Sequence, residues 1–227
     1  MSETTTRLLH CSVYRAIPTI AVSEHLFDDI GDEQAQIIAM KLEMDTKPGQ
    51  VSLGSPIIHR PFDQGDWYGL IGYPFDNIGE SRLSTGRYGV WYGALEQMTT
   101  IAESMHYTVK QFLADRLDGK RPSRMDRRVF TLDMDRMLVD MTKPKRAAEE
   151  FSNPNDWTHA QGIASRLRAK GATGILYNSA RCAGLNVGLF GPDGLDKPRM
   201  AFDVRFIWAD GCVTAYRGNE ELVRVQA

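Results

Sequence analysis

Arg82, Tyr92 and Glu103 fall within one continuous stretch, SRLSTGRYGVWYGALEQMTTIAESMHY, from Ser81 to Tyr107. An arginine offers a planar fork of donors to phosphate oxygens, a tyrosine ring offers a face to a flat base, and a carboxylate opposes a sugar cation. Brought around one cleft, these groups would suit a nucleotide-processing site. Other chemistries lack their signatures. The five histidines, His10, His25, His59, His106 and His159, are scattered without metal-ligand spacing, so no metal is expected. There is no GxSxG nucleophile elbow, Ser179 lying instead in YNSAR. Neither GxGxxG after a strand nor GxxxxGK[ST] occurs, which argues against a Rossmann or P-loop nucleotide site.

Size and charge narrow the class. The chain has 227 residues, 42% hydrophobic and 25% charged, enough to bury the core of one large domain. A net charge of -2 gives no overall basic field for nucleic acid or anionic lipid. The one dense basic run, Arg116 to Arg128, reads as a solvated charged loop. Cys11, Cys182 and Cys212 are odd in number and lack CxxC spacing, as expected of free thiols in a cytoplasmic protein. The polar N-terminus is a poor secretory signal, and no apolar run approaches the roughly 20 residues that span a bilayer.

The elements that must position the candidate groups follow from periodicity. Leu8 to Ile20 reads as a strand ending near Pro18, and its Arg15 taken alone is a solvated strand-face arginine. Val22 to Met44 is helix-like, and Gln50 to Glu80, with His59, Trp67 and Tyr68, is an irregular connection holding one or two short strands. Tyr88 to Ala94 is a short aromatic strand. From Glu96 to Leu117, Met98, Ile101, Met105, Val109 and Phe112 form a helical stripe with Glu103 beside it, where pattern alone would leave a surface carboxylate. Arg128 to Met134 is a strand, with Asp133 and Asp135 placed at its end and turn. A linker with a short helix precedes a second amphipathic helix, Asp156 to Lys170. Strands follow at Gly174 to Ser179, Val187 to Phe190, Ala201 to Ala209, Cys212 to Tyr216 and Leu222 to Val225, with Asp210-Gly211 as a hairpin turn. Short strands, few helices and no regular βαβ alternation predict an α+β fold.

Two segments carry a joint pattern. SRLSTGRYGVWYGALEQMTTIAESMHY and GATGILYNSARCAGLNVGLF together resemble the RES domain family, the toxin component of RES–Xre toxin–antitoxin pairs. Arg82, Tyr92 and Glu103 match its first segment; Tyr177, Ser179, Arg181 and Phe190 match its second, and Tyr14-Arg15 resembles its start. The resemblance covers roughly Tyr14 to Tyr216 and implies a single domain over 1–227 with an insertion at about 50–80. It also implies a fold similar to ADP-ribosyltransferase toxins, a mixed or antiparallel β core with flanking helices. The implied activity is cleavage of the nicotinamide–ribose bond of NAD+, which is substrate and not a redox cofactor. Glu103, Arg82 and Tyr92 are then the catalytic candidates, and Arg15, Ser84, Ser179 and Arg181 the substrate-binding ones. Water, phosphate or a protein side chain can each capture ADP-ribose, so glycohydrolase, phosphorylase and protein ADP-ribosyltransferase stay open, as does a catalytically inert binding protein. The implied partner is an Xre-type helix-turn-helix antitoxin, through which alone DNA would be contacted.

Overall fold

Alternation sets the first long pairing. In TRLLHCSVYRAIP, Leu9, Cys11 and Val13 share one face while Tyr14 and Ala16 take the other. This strand, β1 (Thr6–Pro18), lies antiparallel to β5 (Arg124–Asp140) from Thr6↔Val139 to Pro18↔Arg127. The computed structural model describes residues 5–18, 68–117, 124–143 and 145–226. The helix expected over Val22 to Met44 and the stretch from Gln50 to Trp67 lie outside the described residues.

Three short strands complete a ring. β4 (Trp91–Ala94), β7 (Leu185–Leu189) and β6 (Gly174–Asn178) pair antiparallel in that order. β4 also touches β1 at Tyr14↔Ala94, and β6 runs parallel to the end of β5. The pairings β1–β4–β7–β6–β5–β1 therefore close on themselves. One apolar cluster joins all five, with Val13, Trp91, Leu132, Leu138, Leu176 and Val187 fully buried. A π-helical turn, Tyr68–Gly72, adds Leu70 and Ile71 to it, and Trp91 Nε1 donates to the Leu70 carbonyl at 2.7 Å. Beyond β5 the sheet continues as an antiparallel meander of β8 (Leu195–Ala209), β9 (Cys212–Arg217) and β10 (Glu220–Gln226). Asp210 and Gly211 both take positive φ, 50° and 74°, the geometry a two-residue hairpin turn needs.

The helices cover two faces. After one turn of helix, α1 (Tyr73–Asp76), and the small hairpin of β2 (Glu80–Ser81) and β3 (Ser84–Thr85), comes α2 (Gln97–Leu117). It packs Ile101, Met105 and Phe112 against Val129, Phe206, Val213 and Ala215. α3 (Lys145–Phe151) and α4 (Thr158–Ala169) cover β6 with Phe151, Ala160 and Ala164 on Ile175 and Tyr177. Each large apolar side chain so buried contributes about 1.5–3 kcal/mol. The class is α+β, a large, mostly antiparallel sheet with few helices, as the sequence predicts. Among the described residues no helix is long and apolar enough to cross a membrane.

Two expectations are corrected. Arg124 to Arg128 is strand and not loop, because β5 gains partners on both edges, β1 and β8, that a charged run cannot reveal. Asp133 and Asp135 accordingly sit inside β5 instead of at its end. Their carboxylates alternate outward against buried Leu132 and Met134, and Asp133 pairs with Arg199 and Lys197 across the strand from β8.

Candidate active site

A cleft of about 550 Å³ opens between α2 and the β1–β4 side of the ring. Its size lies in the ordinary range for enclosed small-molecule sites. Arg15, Arg82, Tyr92, Glu103 and Arg181 all line it, so five of the seven residues singled out in the sequence come together from five different elements.

Glu103 is held from one side only. Its Oε1 accepts hydrogen bonds from Ser179 Oγ at 2.7 Å and Asn186 Nδ2 at 2.6 Å. Both donors are neutral, so neither brings a counter-charge, and Oε2 receives no hydrogen bond from the described residues. Ser179 stands at the end of β6, in a turn closed by its N–H to the Gly184 carbonyl. Its Oγ also accepts from the Arg181 N–H at 3.0 Å, which fixes the hydroxyl's proton toward Glu103. Ser179 thus acts on the cleft through Glu103. Asn186, a polar residue buried within apolar β7, was not singled out by the sequence; its signal was that isolation within LNVGL.

Arg82 sits at the tip of the β2–β3 hairpin, where Leu83 is fully buried as an anchor. Arg82 donates to the carbonyls of Phe151 (3.2 Å) and Asn153 (2.7 Å). Tyr92 fixes the same hairpin: its hydroxyl accepts from the Leu83 N–H at 3.0 Å and donates to Ser81 Oγ at 2.8 Å. Burial pushes the phenol's pKa well up, so it stays protonated. Gly188, opposite Tyr92 in β7, leaves room here, since a side chain there would collide with Leu83 and touch the Tyr92 ring. Tyr92 therefore has its hydroxyl committed to the hairpin and only its ring turned to the cleft.

Arg15 is far from the solvated arginine that β1 alone suggests. It donates to the Tyr92 carbonyl at 2.9 Å, stacks over Trp91 with 5.3 Å to the ring centroid, and burial pulls its pKa down to about 10. Arg181 donates through one nitrogen to His106 Nε2 (2.8 Å) and the Pro154 carbonyl (3.3 Å). An arginine has no acceptor, so this His106 is neutral with its proton on Nδ1; burial first, then the Arg181 charge, lower its pKa. The Nε atoms of both Arg15 and Arg181 are enclosed without a hydrogen-bond partner. An unmatched buried donor costs about 1–3 kcal/mol, more when charged.

Ser84 departs from expectation. It is fully buried and outside the cleft; its Oγ donates to the Tyr88 carbonyl at 2.7 Å and accepts from the Gly86 N–H at 3.2 Å. It staples the turn after β3 because a hydroxyl two to four residues from those groups satisfies them locally. Trp157, Tyr177 and Tyr107 add aromatic walls to the cleft.

A comparison with curated proteins gives no match. Among solved structures, a chain of the "M.tuberculosis MbcT-MbcA toxin-antitoxin complex" is similar at 14% identity and a TM-score of 0.47, over 88% of this chain and 86% of that one. The RES domain family profile matches residues 57–209, more than half of the chain. That span contains Arg82, Tyr92, Glu103, Ser179 and Arg181 and begins after Tyr14-Arg15, so Arg15 joins the site through β1's pairing. The chain belongs to the RES domain family, the domain of RES toxin–antitoxin toxins.

Proposed function

We propose that this protein is the toxin of a RES–Xre pair and that it breaks the nicotinamide–ribose bond of NAD+. The observation that carries the reading is Glu103, a carboxylate anchored through Oε1 by two neutral donors in a cleft that is also lined by four arginines, two of them with an unmatched Nε.

The chemistry follows from that arrangement. When the N-glycosidic bond breaks, its electron pair moves onto the pyridinium nitrogen, and nicotinamide leaves as a neutral molecule. No general acid is needed. Positive charge develops on the ribose, as in glycoside hydrolysis, and the free oxygen of Glu103 opposes it. Ser179 and Asn186 prevent the carboxylate from rotating away as that charge forms, so the interaction needs little reorganisation. Arg82, Arg15 and Arg181 supply donor forks for the phosphate on the nicotinamide-riboside side of the diphosphate, and the Tyr92 ring with the aromatic walls receives the flat base. Water or inorganic phosphate then captures the cation, which makes the enzyme a glycohydrolase or a phosphorylase. Capture by a protein side chain, the ADP-ribosyltransferase outcome, uses the same first step. An Xre-type antitoxin would hold the toxin inactive and supply any contact with DNA.

The test incubates purified protein with NAD+, with and without phosphate and with a protein lysate, and follows nicotinamide and ADP-ribose products by mass spectrometry. Nicotinamide release that is lost in Glu103→Gln supports the mechanism; release unchanged in that variant sinks it. ADP-ribose 1-phosphate, free ADP-ribose or a modified lysate protein identifies the acceptor. Absence of release with tight antitoxin binding would make the protein an inert binder.

A further inference from the structure

Arg127 enters the same cleft from a side that the reaction described above does not use. In the basic stretch at the start of β5, Arg124 pairs with Asp126 and Arg128 with Asp203, both toward solvent. Arg127 lies between them on the opposite face of the strand, with Val129, toward α2. Its only hydrogen bond among the described residues is a long one, Nε to Thr108 Oγ1 at 3.4 Å, and no carboxylate there pairs with it. Burial lowers its pKa, as expected for a guanidinium drawn from water without a counter-charge.

The helix orders these groups. Arg181 is bonded to His106 and Arg127 to Thr108, two residues apart on α2 and therefore roughly 200° apart around it. The two arginines reach the cleft from opposite flanks. Arg82 and Arg181 share one wall, since both donate to carbonyls of the 151–154 segment. Arg127 has the other flank, together with Gln111, one turn beyond Thr108 and also lining the cleft. From Glu103 to Gln111 the helix rises about 12 Å. A mononucleotide held at Glu103 would leave that far end empty, whereas the second half of a dinucleotide reaches along it.

We propose that Arg127 and Gln111 form a second subsite that takes the distal, adenylate half of a dinucleotide, its phosphate on the guanidinium and its nucleoside against the amide. This rests on the reading of the cleft as an NAD+ site. The subsite selects dinucleotides over mononucleotides and has no part in bond cleavage.

The experiment compares wild type, Arg127→Gln, Arg127→Lys and Gln111→Ala on NAD+ and on nicotinamide mononucleotide, which lacks the distal half, with AMP as competitor. Arg127→Gln is expected to raise KM for NAD+ about tenfold to a hundredfold, the range for losing a hydrogen bond to a charged group, and to raise the AMP inhibition constant by a similar factor. Turnover of the mononucleotide stays unchanged, which also shows that the variant is folded. Arg127→Lys restores part of the loss. An unchanged KM for NAD+, or an equal loss on both substrates, overturns the subsite. Should Arg127→Gln not fold, Arg127→Lys and Gln111→Ala carry the same comparison. If wild type releases nicotinamide from neither substrate, the NAD+ reading fails by itself. Calorimetry with AMP then decides the subsite: binding that weakens in Arg127→Lys and Gln111→Ala upholds it, and equal or absent binding overturns it.

Discussion

Glu103 and Asp133 are both carboxylates beside arginines, and their surroundings make them opposites. Asp133, exposed on β5, gives Oδ1 to Arg199 at 2.6 Å and Oδ2 to Lys197 at 3.6 Å. Its charge is answered twice over, and the hydrogen bond from Arg199 lowers its pKa. Glu103 is gripped as tightly, but by a hydroxyl and an amide that carry no charge. The arginines around it are bonded to backbone carbonyls and a neutral imidazole instead. A carboxylate matched by cations braces a surface. One that is fixed in place yet left unneutralised is available to a transient cation.

The largest expected effect tests that contrast directly. Glu103→Gln keeps the shape and removes the charge, and should slow nicotinamide release about a hundredfold to a thousandfold, the range for losing one preorganised electrostatic stabiliser. Asp133→Asn should leave the rate as it is; a comparable loss there would dissolve the distinction. Next come the two donors. Ser179→Ala and Asn186→Ala should each cost about tenfold to a hundredfold in kcat. Because both hold the same oxygen, the double variant should lose less than the product of the single effects. Strict multiplicativity in a rate measurement would show that they act separately.

A smaller, several-fold effect belongs to His106. Its folded pKa lies below the ordinary 6.5, so the stability it contributes is fully present above that value and is lost as pH falls through the lower folded one. Protonated, it can no longer accept from Arg181, and Lys110, Arg82 and Arg181 then repel it while Glu103 attracts it. KM for NAD+ should rise on that acid limb, and His106→Gln, which keeps an acceptor without the titration, should flatten it. The smallest effect is Asp133's own. Its folded pKa is depressed below 3.8, so the stability wild type holds over Asp133→Asn should be present above that pH and fade as pH falls through the folded value. A melting-temperature gap that persisted far below it would mean that the ion pair is not its source.

What the sequence made legible was local. The stripe of α2, the buried run GILYN and the Asp210-Gly211 turn all encode themselves within a few residues, and each was placed to within a few positions. The long strands were read too short, since the charged start of β5 becomes strand by pairing with the end of β8, and the polar start of β8 by pairing with the middle of β5. The same limit applies to the site. Glu103, Arg82, Ser179 and Arg181 were identified through two recognisable segments. Asn186 and Arg127 belong to the site only because β7 lies beside β4 and β6, and β5 beside β1. Nothing near them in the chain announces those neighbours. Ser84 shows the converse: a local pattern placed it near the chemistry, and a local hydrogen-bond demand turned it away.

The closed ring has a consequence in time. Its first strand finds its main partner more than a hundred residues later, and the two donors of Glu103 follow it by 76 and 83 residues. Contacts of such long sequence separation form late and slowly. A nascent chain that has completed α2 carries the carboxylate but neither of its holders, and a fragment ending before β7 lacks both the closing strand and Asn186. Synthesis of Glu103 and completion of its two hydrogen bonds are thus separated by more than a third of the chain, an interval in which, on the proposed function, the newly made protein would be harmless.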